Sequence, residues 1–117
     1  SSKVIPIALN NYLFLISKND LLITMDINKG KVIFSSDINQ NISDFLNVKK
    51  YKVQVKAINI LNNEIFIFLK NSYYLKYDLN GVLKEIKKFP AKINSDLIFV
   101  QDSIFFLDRS NKLLVIN

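Results

Sequence analysis

The sequence contains no cysteine, histidine or tryptophan, and it has only two glycines and two prolines among its 117 residues. The absence of cysteine excludes disulfides, thiolate metal sites and cysteine nucleophiles. Without histidine, acid–base or nucleophilic chemistry would have to use Asp, Glu, Lys, Ser, Thr or Tyr. No Gly-rich phosphate loop, nucleophile elbow or metal-ligand spacing occurs among them. We therefore predict no catalytic residue, no cofactor and no metal site, and we expect a protein that is not an enzyme.

Long hydrophobic runs are also missing. No apolar run reaches the roughly 18 to 20 residues that a membrane-spanning helix needs, so we expect no membrane span. Hydrophobic residues nevertheless make up 50% of the chain, which argues against disorder. The net charge is +6 and comes almost entirely from lysine. The abundance of Lys, Asn, Ile and Phe is typical of an AT-rich genome, so part of the lysine excess is consistent with mutational bias.

A repeated pattern is the main feature of what remains. The stretch YLFLISKNDLLITMDINKGKVIF, residues 12–34, returns 52 positions later as EIFIFLKNSYYLKYDLNGVLKEI, so that Asp26 aligns with Asp78 and Phe14 with Phe66. A third copy, SIFFLDRSNKLLVIN, starts 39 positions after the second. Self-similarity at this spacing indicates a repeat architecture.

Each copy has the features of antiparallel β-strands joined by tight turns. Short runs such as YLFLIS and IFIFL are rich in branched and aromatic residues. They lack strict alternation with polar residues, which predicts burial on both faces. The polar triplets at 18–20, 70–72 and 109–111 lie where hairpin turns are required, and Asn and Ser suit such turns.

The segments DINKG and DLNG predict a second kind of turn. There we expect Asp26 and Asp78 to accept backbone N–H bonds, and Gly30 and Gly81 to supply a positive φ. These four are the predicted structural turn residues. Ca²⁺ ligation by the two Asp residues is the alternative, but Ca²⁺ takes about six to eight oxygen ligands and each segment offers one carboxylate. We therefore favour turn capping.

The spacing predicts an all-β fold made of β-propeller blades, each of four antiparallel strands in about 40 residues. We assign repeat 1 to 3–39, an insertion to 40–52, repeat 2 to 53–92 and partial repeat 3 to 93–117. Within the insertion, Ser43–Val48 is a helical candidate with Ser43 as its N-cap. Together these form a single partial domain of about two and three-quarter blades, and we expect it to be part of a larger propeller. A β-sandwich and a β-solenoid are the alternatives, although sandwich strands usually keep one solvated face.

The first copy resembles the blade repeat of the quinoprotein-like propellers, also called PQQ-like repeats. That pattern ends an aliphatic strand in Asp and continues x-x-x-Gly-Lys to a Trp. Here Asp26, Gly30 and Lys31 match it, and Phe34 occupies the Trp position. The second copy keeps the Asp and the Gly but departs from the pattern after them.

The resemblance implies one of two functions. The family includes the non-catalytic outer-membrane-protein assembly lipoprotein of the Bam complex, which implies an interaction scaffold with protein partners in the bacterial periplasm or envelope. It also includes dehydrogenases that use pyrroloquinoline quinone, in which a Trp and a disulfide flank the quinone. This chain has neither Trp nor Cys, so we favour the scaffold. The alternative is a fragment of such a dehydrogenase whose catalytic residues lie in other blades.

Two basic clusters are the remaining binding candidates. One consists of Lys49, Lys50 and Lys52 around Tyr51, and the other contains lysines near Phe89, namely Lys84, Lys87, Lys88 and Lys92. The functional interpretation is phosphate binding, to nucleic acid or to anionic lipid, but Arg, the preferred residue for bidentate phosphate and base contacts, occurs once. Solvated strand faces explain the same residues, so we predict no nucleic-acid partner. The end blades should expose apolar faces and strand edges, and we therefore expect self-association of this segment.

Overall fold

The computed structural model describes residues 6–89, 97–100 and 103–116, and within these ranges the protein has eleven β-strands and one helix. The helix, α1, spans Ile38–Leu46. The strands are β1 Ile7–Leu9, β2 Tyr12–Ile16, β3 Leu21–Asp26, β4 Lys31–Asp37, β5 Val55–Leu61, β6 Glu64–Leu69, β7 Tyr73–Tyr77, β8 Leu83–Lys88, β9 Ile98–Val100, β10 Ser103–Leu107 and β11 Leu113–Ile116.

The strands pair antiparallel in chain order and form three separate sheets. The first sheet has the order β1-β2-β3-β4, the second β5-β6-β7-β8, and the third β9-β10-β11. Each sheet is therefore a meander whose strands are neighbours in sequence, and the first two have four strands each. This confirms the predicted all-β fold class with blades of four antiparallel strands.

The second sheet lies between the other two and is buried on both faces. Ile65 and Ile67 of β6 belong to a core cluster shared with the first sheet. Phe66 and Phe68, which alternate with them, belong to a second cluster shared with the third sheet. Every residue from Ile65 to Leu69 is buried. This strand lacks alternating polar residues because neither of its faces is exposed to water, as the sequence predicted.

Each repeat presents the same face to its neighbour. Phe14 of β2 packs toward the second sheet, and its equivalent Phe66 packs toward the third. In the opposite direction, Ile65 packs toward the first sheet, and its equivalent Ile104 packs toward the second. Three sheets stacked head to tail in chain order differ from a two-sheet sandwich, and this is the arrangement expected of successive blades.

Aromatic side chains fill the space between the second and third sheets. Ring centroids lie between 5.1 and 6.1 Å apart across a connected group. The group consists of Phe66, Phe68, Tyr74, Phe89, Phe99 and Phe106. Such pairs contribute beyond the area that they bury. Tyr74 is buried, whereas its neighbour Tyr73 is 37% exposed, as expected for adjacent strand residues that point to opposite faces.

The helix starts earlier than the sequence suggested. The predicted helix over Ser43–Val48 with Ser43 as its cap is wrong, because α1 runs from Ile38 to Leu46. Asp37, the last residue of β4, is the N-cap, and its carboxylate accepts a hydrogen bond from the Gln40 N–H at 3.1 Å. A carboxylate at this position satisfies an otherwise unpaired N–H. Ser43 instead lies inside the helix.

Some predictions fall outside the described residues. These are the start of repeat 1 at residue 3, the boundary between repeat 2 and partial repeat 3 at 92 and 93, the end of partial repeat 3 at residue 117, and Lys92 of the second basic cluster. The division of the chain into repeats otherwise stays a prediction. The insertion assigned to 40–52 contains most of α1 and the connection from α1 toward β5.

Candidate functional site: the cleft between the first and second sheets

The four predicted turn residues lie in two equivalent turns. The Asp26 carboxylate accepts a hydrogen bond from the Lys29 N–H at 3.1 Å, and the Gly30 N–H donates to the Asp26 carbonyl at 2.8 Å. In the second sheet, the Asp78 carboxylate accepts from two backbone N–H groups, at 2.9 and 3.0 Å. Gly30 and Gly81 have φ values of +64° and +84°, where a residue without Cβ is favoured.

The electrostatics of Asp78 follow from this turn. The Val82 N–H is the main cause that holds the pKa of the Asp78 carboxyl below its ordinary value, and the Asn80 N–H and Lys84 act in the same direction. Lys84 Nζ lies 3.6 Å from the carboxylate. Hydrogen bonds to the charged form stabilise that form, so the ionised Asp78 is part of the turn.

Sequence reasoning missed the role of Asp20, which it placed only in a polar turn. Asp20 is fully buried, and its carboxylate accepts hydrogen bonds from Asn39 Nδ2 at 2.8 Å and from Lys52 Nζ at 2.7 Å. The Val53 N–H in turn donates to Asn39 Oδ1 at 2.7 Å. Asp20 therefore connects the turn after β2 to the first turn of α1 and to the last residue of the insertion. No sequence signal identifies this role, because Asp20 is an ordinary turn residue by type and its partners at positions 39 and 52 are distant in the chain.

The basic clusters divide between ion pairs and exposed side chains. Lys52 is held by Asp20, while Lys49 and Lys50 are exposed. On β8, Lys87 Nζ lies 3.7 Å from Glu85 Oε2, and Lys76 Nζ of β7 lies 3.3 Å from the same oxygen. Cations that already face carboxylates are a poor phosphate site. Among the described residues there is also no group of three or more His, Cys, Asp or Glu side chains that could hold a metal ion.

A polar contact and a close steric contact join the first two sheets at Gly81. Ser36 Oγ donates to the Gly81 carbonyl at 2.9 Å. The Phe34 ring covers the α-carbon, and an ideal Cβ at Gly81 would lie 2.5 Å from Phe34 Cε1. Phe34 is the residue that takes the Trp position in the resemblance. It therefore fixes the spacing of the two sheets only because residue 81 has no side chain.

Asn41 of α1 completes this junction. Its Nδ2 donates to Ser36 Oγ at 2.6 Å and to the Tyr77 hydroxyl at 2.8 Å. Tyr77 is fully buried. Burial raises the pKa of its hydroxyl to about 12, partly offset by the hydrogen bond from Asn41. Removal from water disfavours the phenolate, so Tyr77 stays neutral throughout the physiological pH range.

Beside this junction lies an opening between the two sheets, which we name the first cleft. It has a volume of about 280 Å³. Its apolar surface comes from Leu9, Phe14, Ile33, Phe34 and Leu79, and its polar surface comes from Asn10, Tyr12, Thr24, Asn63 and Asn80. No charged residue is among them. Clefts of mixed apolar and polar lining are the usual form of small-molecule sites.

The second and third sheets enclose an equivalent opening, the second cleft, which is smaller and charged. Its volume is about 80 Å³. Five of its residues are the repeat equivalents of five in the first cleft, namely Leu61 for Leu9, Asn62 for Asn10, Glu64 for Tyr12, Phe66 for Phe14 and Lys76 for Thr24. Lys76 Nζ lies 5.2 Å above the Phe66 ring. The long Lys76 side chain thus lies over the aromatic ring at the position where the first cleft has a short Thr.

The outer side of β11 has no partner strand among the residues that the structure describes. In the first two sheets, the equivalent strands β3 and β7 are paired on both sides, with β4 and β8 as their outer partners. Within the described part of the chain, β11 pairs with β10 alone. Leu113 and Val115 of β11 are 59% and 45% exposed, while Leu114 and Ile116 pack against the second core cluster. An unpaired edge of this kind is a template for another strand.

No helix within the described residues is long and apolar enough to cross a membrane.

No protein-family model matches the chain, and the similarities to known proteins include the following two. A 70-residue stretch is 43% identical to the DNA-directed RNA polymerase subunit beta'' of Plasmodium falciparum, covering 60% of this chain and 7% of that protein. Among solved structures, BamB from Moraxella catarrhalis is similar over 94% of this chain and 41% of that chain, with a TM-score of 0.47 and 10% sequence identity. The chain therefore spans less than half the length of either protein, and neither similarity is sufficient to assign it to a family.

Proposed function

We propose that this chain is a non-catalytic interaction scaffold that binds an extended protein segment along β11 of the third sheet. The observation that carries this proposal is that, within the described residues, β11 pairs with β10 alone, whereas each of the other two sheets has a fourth strand. Added strands gain affinity from main-chain hydrogen bonds and specificity from alternate side chains. This mode needs no catalytic or metal-binding group. The partner is a protein, and no nucleic acid is required.

The side chains around the edge suit a strand of ordinary sheet composition. Leu113 and Val115 offer an apolar row on the outer face of the sheet. Leu114 and Ile116 continue the inner face that contacts the aromatic cluster. A bound segment with apolar residues at alternate positions would extend both rows. The resemblance of Asp26, Gly30 and Lys31 to the PQQ-like repeat supports a location in the bacterial envelope and a role in outer-membrane protein assembly.

A peptide with the sequence of residues 81–88, which contains β8, is a suitable probe because β8 is the fourth strand of the second sheet. We expect a fluorescently labelled peptide to bind the full chain in anisotropy titrations and to protect the amides of 113–116 from hydrogen exchange. Two N-methylated versions, altered at odd or at even residues, provide the control. Because alternate N–H groups face one neighbour, one version should bind normally and the other should lose at least tenfold in affinity. Equal binding by both versions, or no protection of β11, would contradict the proposal.

The alternative, a fragment of a quinone-dependent dehydrogenase, makes a different forecast. A ligand that binds only the folded state raises thermal stability by mass action. We expect no shift in melting temperature with pyrroloquinoline quinone and Ca²⁺ beyond that with Ca²⁺ alone. A shift of several degrees that requires the quinone would favour the dehydrogenase.

A further inference from the structure

We propose that the first cleft is a binding site for an uncharged aromatic ring with one hydroxyl group at its tip, that is, a ligand of the phenol class. The site lies between the first and second sheets, away from the β11 edge, and it does not depend on the proposed function. Its volume of about 280 Å³ is near the lower end of small-molecule sites and suits a single ring with a short substituent.

Thr24 is the residue that points to a ligand with a hydroxyl group. It lies in register between Phe14 of β2 and Phe34 of β4, so the three side chains form one row facing the second sheet. Thr24 is only 3% exposed. Its Oγ1 is shielded from solvent and has no hydrogen-bond partner among the residues that the structure describes. Buried hydroxyls are usually paired, and rotation about χ1 can turn this one toward a ligand in the cleft.

The walls favour a ring over a more polar molecule. Phe14 and Phe34 flank Thr24 with aromatic surface, and Leu9 and Leu79 add aliphatic surface. A sugar or another molecule with many hydroxyl groups would bury several polar groups against these walls without partners, which is unfavourable. A phenol buries fewer polar groups, because its ring can contact the apolar walls and its single hydroxyl can hydrogen-bond to Thr24.

The absence of charge in the lining favours a neutral ligand. In the second cleft, Glu64 and Lys76 occupy the positions equivalent to Tyr12 and Thr24. The first cleft thus has uncharged side chains where the repeat elsewhere has charged ones. A carboxylate or an ammonium group entering it would lose hydration without gaining an ion pair. The Asn10 amide, with a donor and an acceptor, can hydrogen-bond a neutral polar group at the rim.

The test compares three small probes of similar size on the full chain: 4-methylphenol, toluene and 4-methylbenzoate. NMR chemical-shift titrations should place 4-methylphenol in the first cleft, through resonances of Leu9, Leu79 and Thr24, with an affinity at least fivefold higher than that of toluene. No saturable shifts are expected with 4-methylbenzoate. Thr24→Val, which keeps the shape and removes the hydroxyl, should abolish the preference for 4-methylphenol over toluene. Thr24→Lys, which copies the second cleft, should abolish binding.

Asn10→Gly and Asn62→Gly form a matched pair of control variants. Both positions have a positive φ, 54° and 51°, which Gly tolerates, but only Asn10 lines the first cleft. Asn10→Gly should weaken 4-methylphenol binding, and Asn62→Gly should not. Equal affinity of the unaltered chain for 4-methylphenol and toluene, or shifts that map elsewhere, would overturn the proposal even if a variant failed to fold.

A further experiment distinguishes two sources of the phenol group, a tyrosine of a protein partner and a free phenolic molecule. A blocked Gly-Tyr-Gly peptide presents the same phenol on a main chain. Binding at least tenfold tighter than 4-methylphenol would identify a tyrosine of a protein partner as the ligand, while binding of 4-methylphenol alone would identify a free phenolic molecule. Binding of neither compound in the first cleft would refute the assignment.

Discussion

At Gly81, a turn and a contact between two sheets depend on the same missing side chain. Its φ is +84°, and an added Cβ would lie 2.5 Å from Cε1 and 2.8 Å from Cδ1 of Phe34. Gly30 occupies the equivalent turn of the first sheet with a φ of +64°, but nothing lies within 4 Å of an added Cβ there. Alanine at the two positions therefore separates backbone strain from steric overlap.

The expected magnitudes follow from these two effects. A left-handed backbone conformation costs an L-residue about 1–2 kcal/mol, so Gly30→Ala should lower the free energy of unfolding by about 1 kcal/mol. Gly81→Ala has the same strain and also forces the Phe34 ring to move, and overpacking of this kind costs about 1–3 kcal/mol more. We expect a total of about 2–4 kcal/mol. Gly81→Val should exceed this, because a β-branched residue is least tolerant of positive φ.

Urea denaturation of the full chain, followed by circular dichroism, measures both variants. The Phe34→Leu change provides the control, because it shortens the side chain that the new Cβ meets. In the Phe34→Leu background, the difference between Gly81→Ala and Gly30→Ala should shrink to less than about 1 kcal/mol, as expected for residues in direct contact. Equal effects of the two alanines in the unaltered chain would refute the reasoning, since the Phe34 contact would then carry no energy.

Four further predictions concern the charged and apolar groups described above. Burial raises the pKa of Tyr77 to about 12, so the stability that its neutral hydroxyl contributes is complete below pH 10. As the pH rises to 12, the free energy of unfolding should fall by about 2–3 kcal/mol. Tyr77→Phe should remove this part of the decline when urea denaturation is measured across this pH range. The lowered pKa of Asp78 predicts stability that is present above about pH 4 and lost as the pH falls further, and Asp78→Asn should reduce this acid dependence. Asp20→Asn should lower the free energy of unfolding by about 1.5–3 kcal/mol. Lys52→Ala, which removes a side chain that is 69% exposed, should lower it by less than about 1 kcal/mol. Equal losses of stability in thermal denaturation of the two variants would contradict this prediction. Light scattering at high protein concentration should detect dimers or larger assemblies, because Leu113, Val115 and other apolar side chains of the outer sheets are exposed, and a stable monomer would count against it.

The sequence alone was sufficient to predict the strands, their order and most of the turns. The reason is that these depend on short-range properties. Alternate residues of a strand point to opposite faces, so the apolar run at 65–69 already implied a strand buried on both sides. The left-handed conformation of Gly30 and Gly81 likewise follows from residue type and turn position within a few residues.

Local sequence predicted the bounds of α1 and the burial of Asp20 less well. Ser43 is a good N-cap residue by type, but Asp37 caps the helix because β4 ends there. The burial of Asp20 depends on Asn39 and Lys52, which are distant in sequence. Neither result could be derived from residue preferences, since both depend on where the insertion folds back onto the first sheet.

The first cleft could not be predicted from the sequence, because only the packing of the first two sheets forms it. The sequence places Thr24 at the position of Lys76 in the next repeat, and nothing local distinguishes an exposed polar residue from one that lines a cleft. Strand pairing in the first sheet places Thr24 between Phe14 and Phe34, and the stacking of the second sheet on the first brings Leu79 into the same cleft. Strand formation is governed by neighbours along the chain, whereas the shape of a space between two sheets depends on side chains that only their packing brings together.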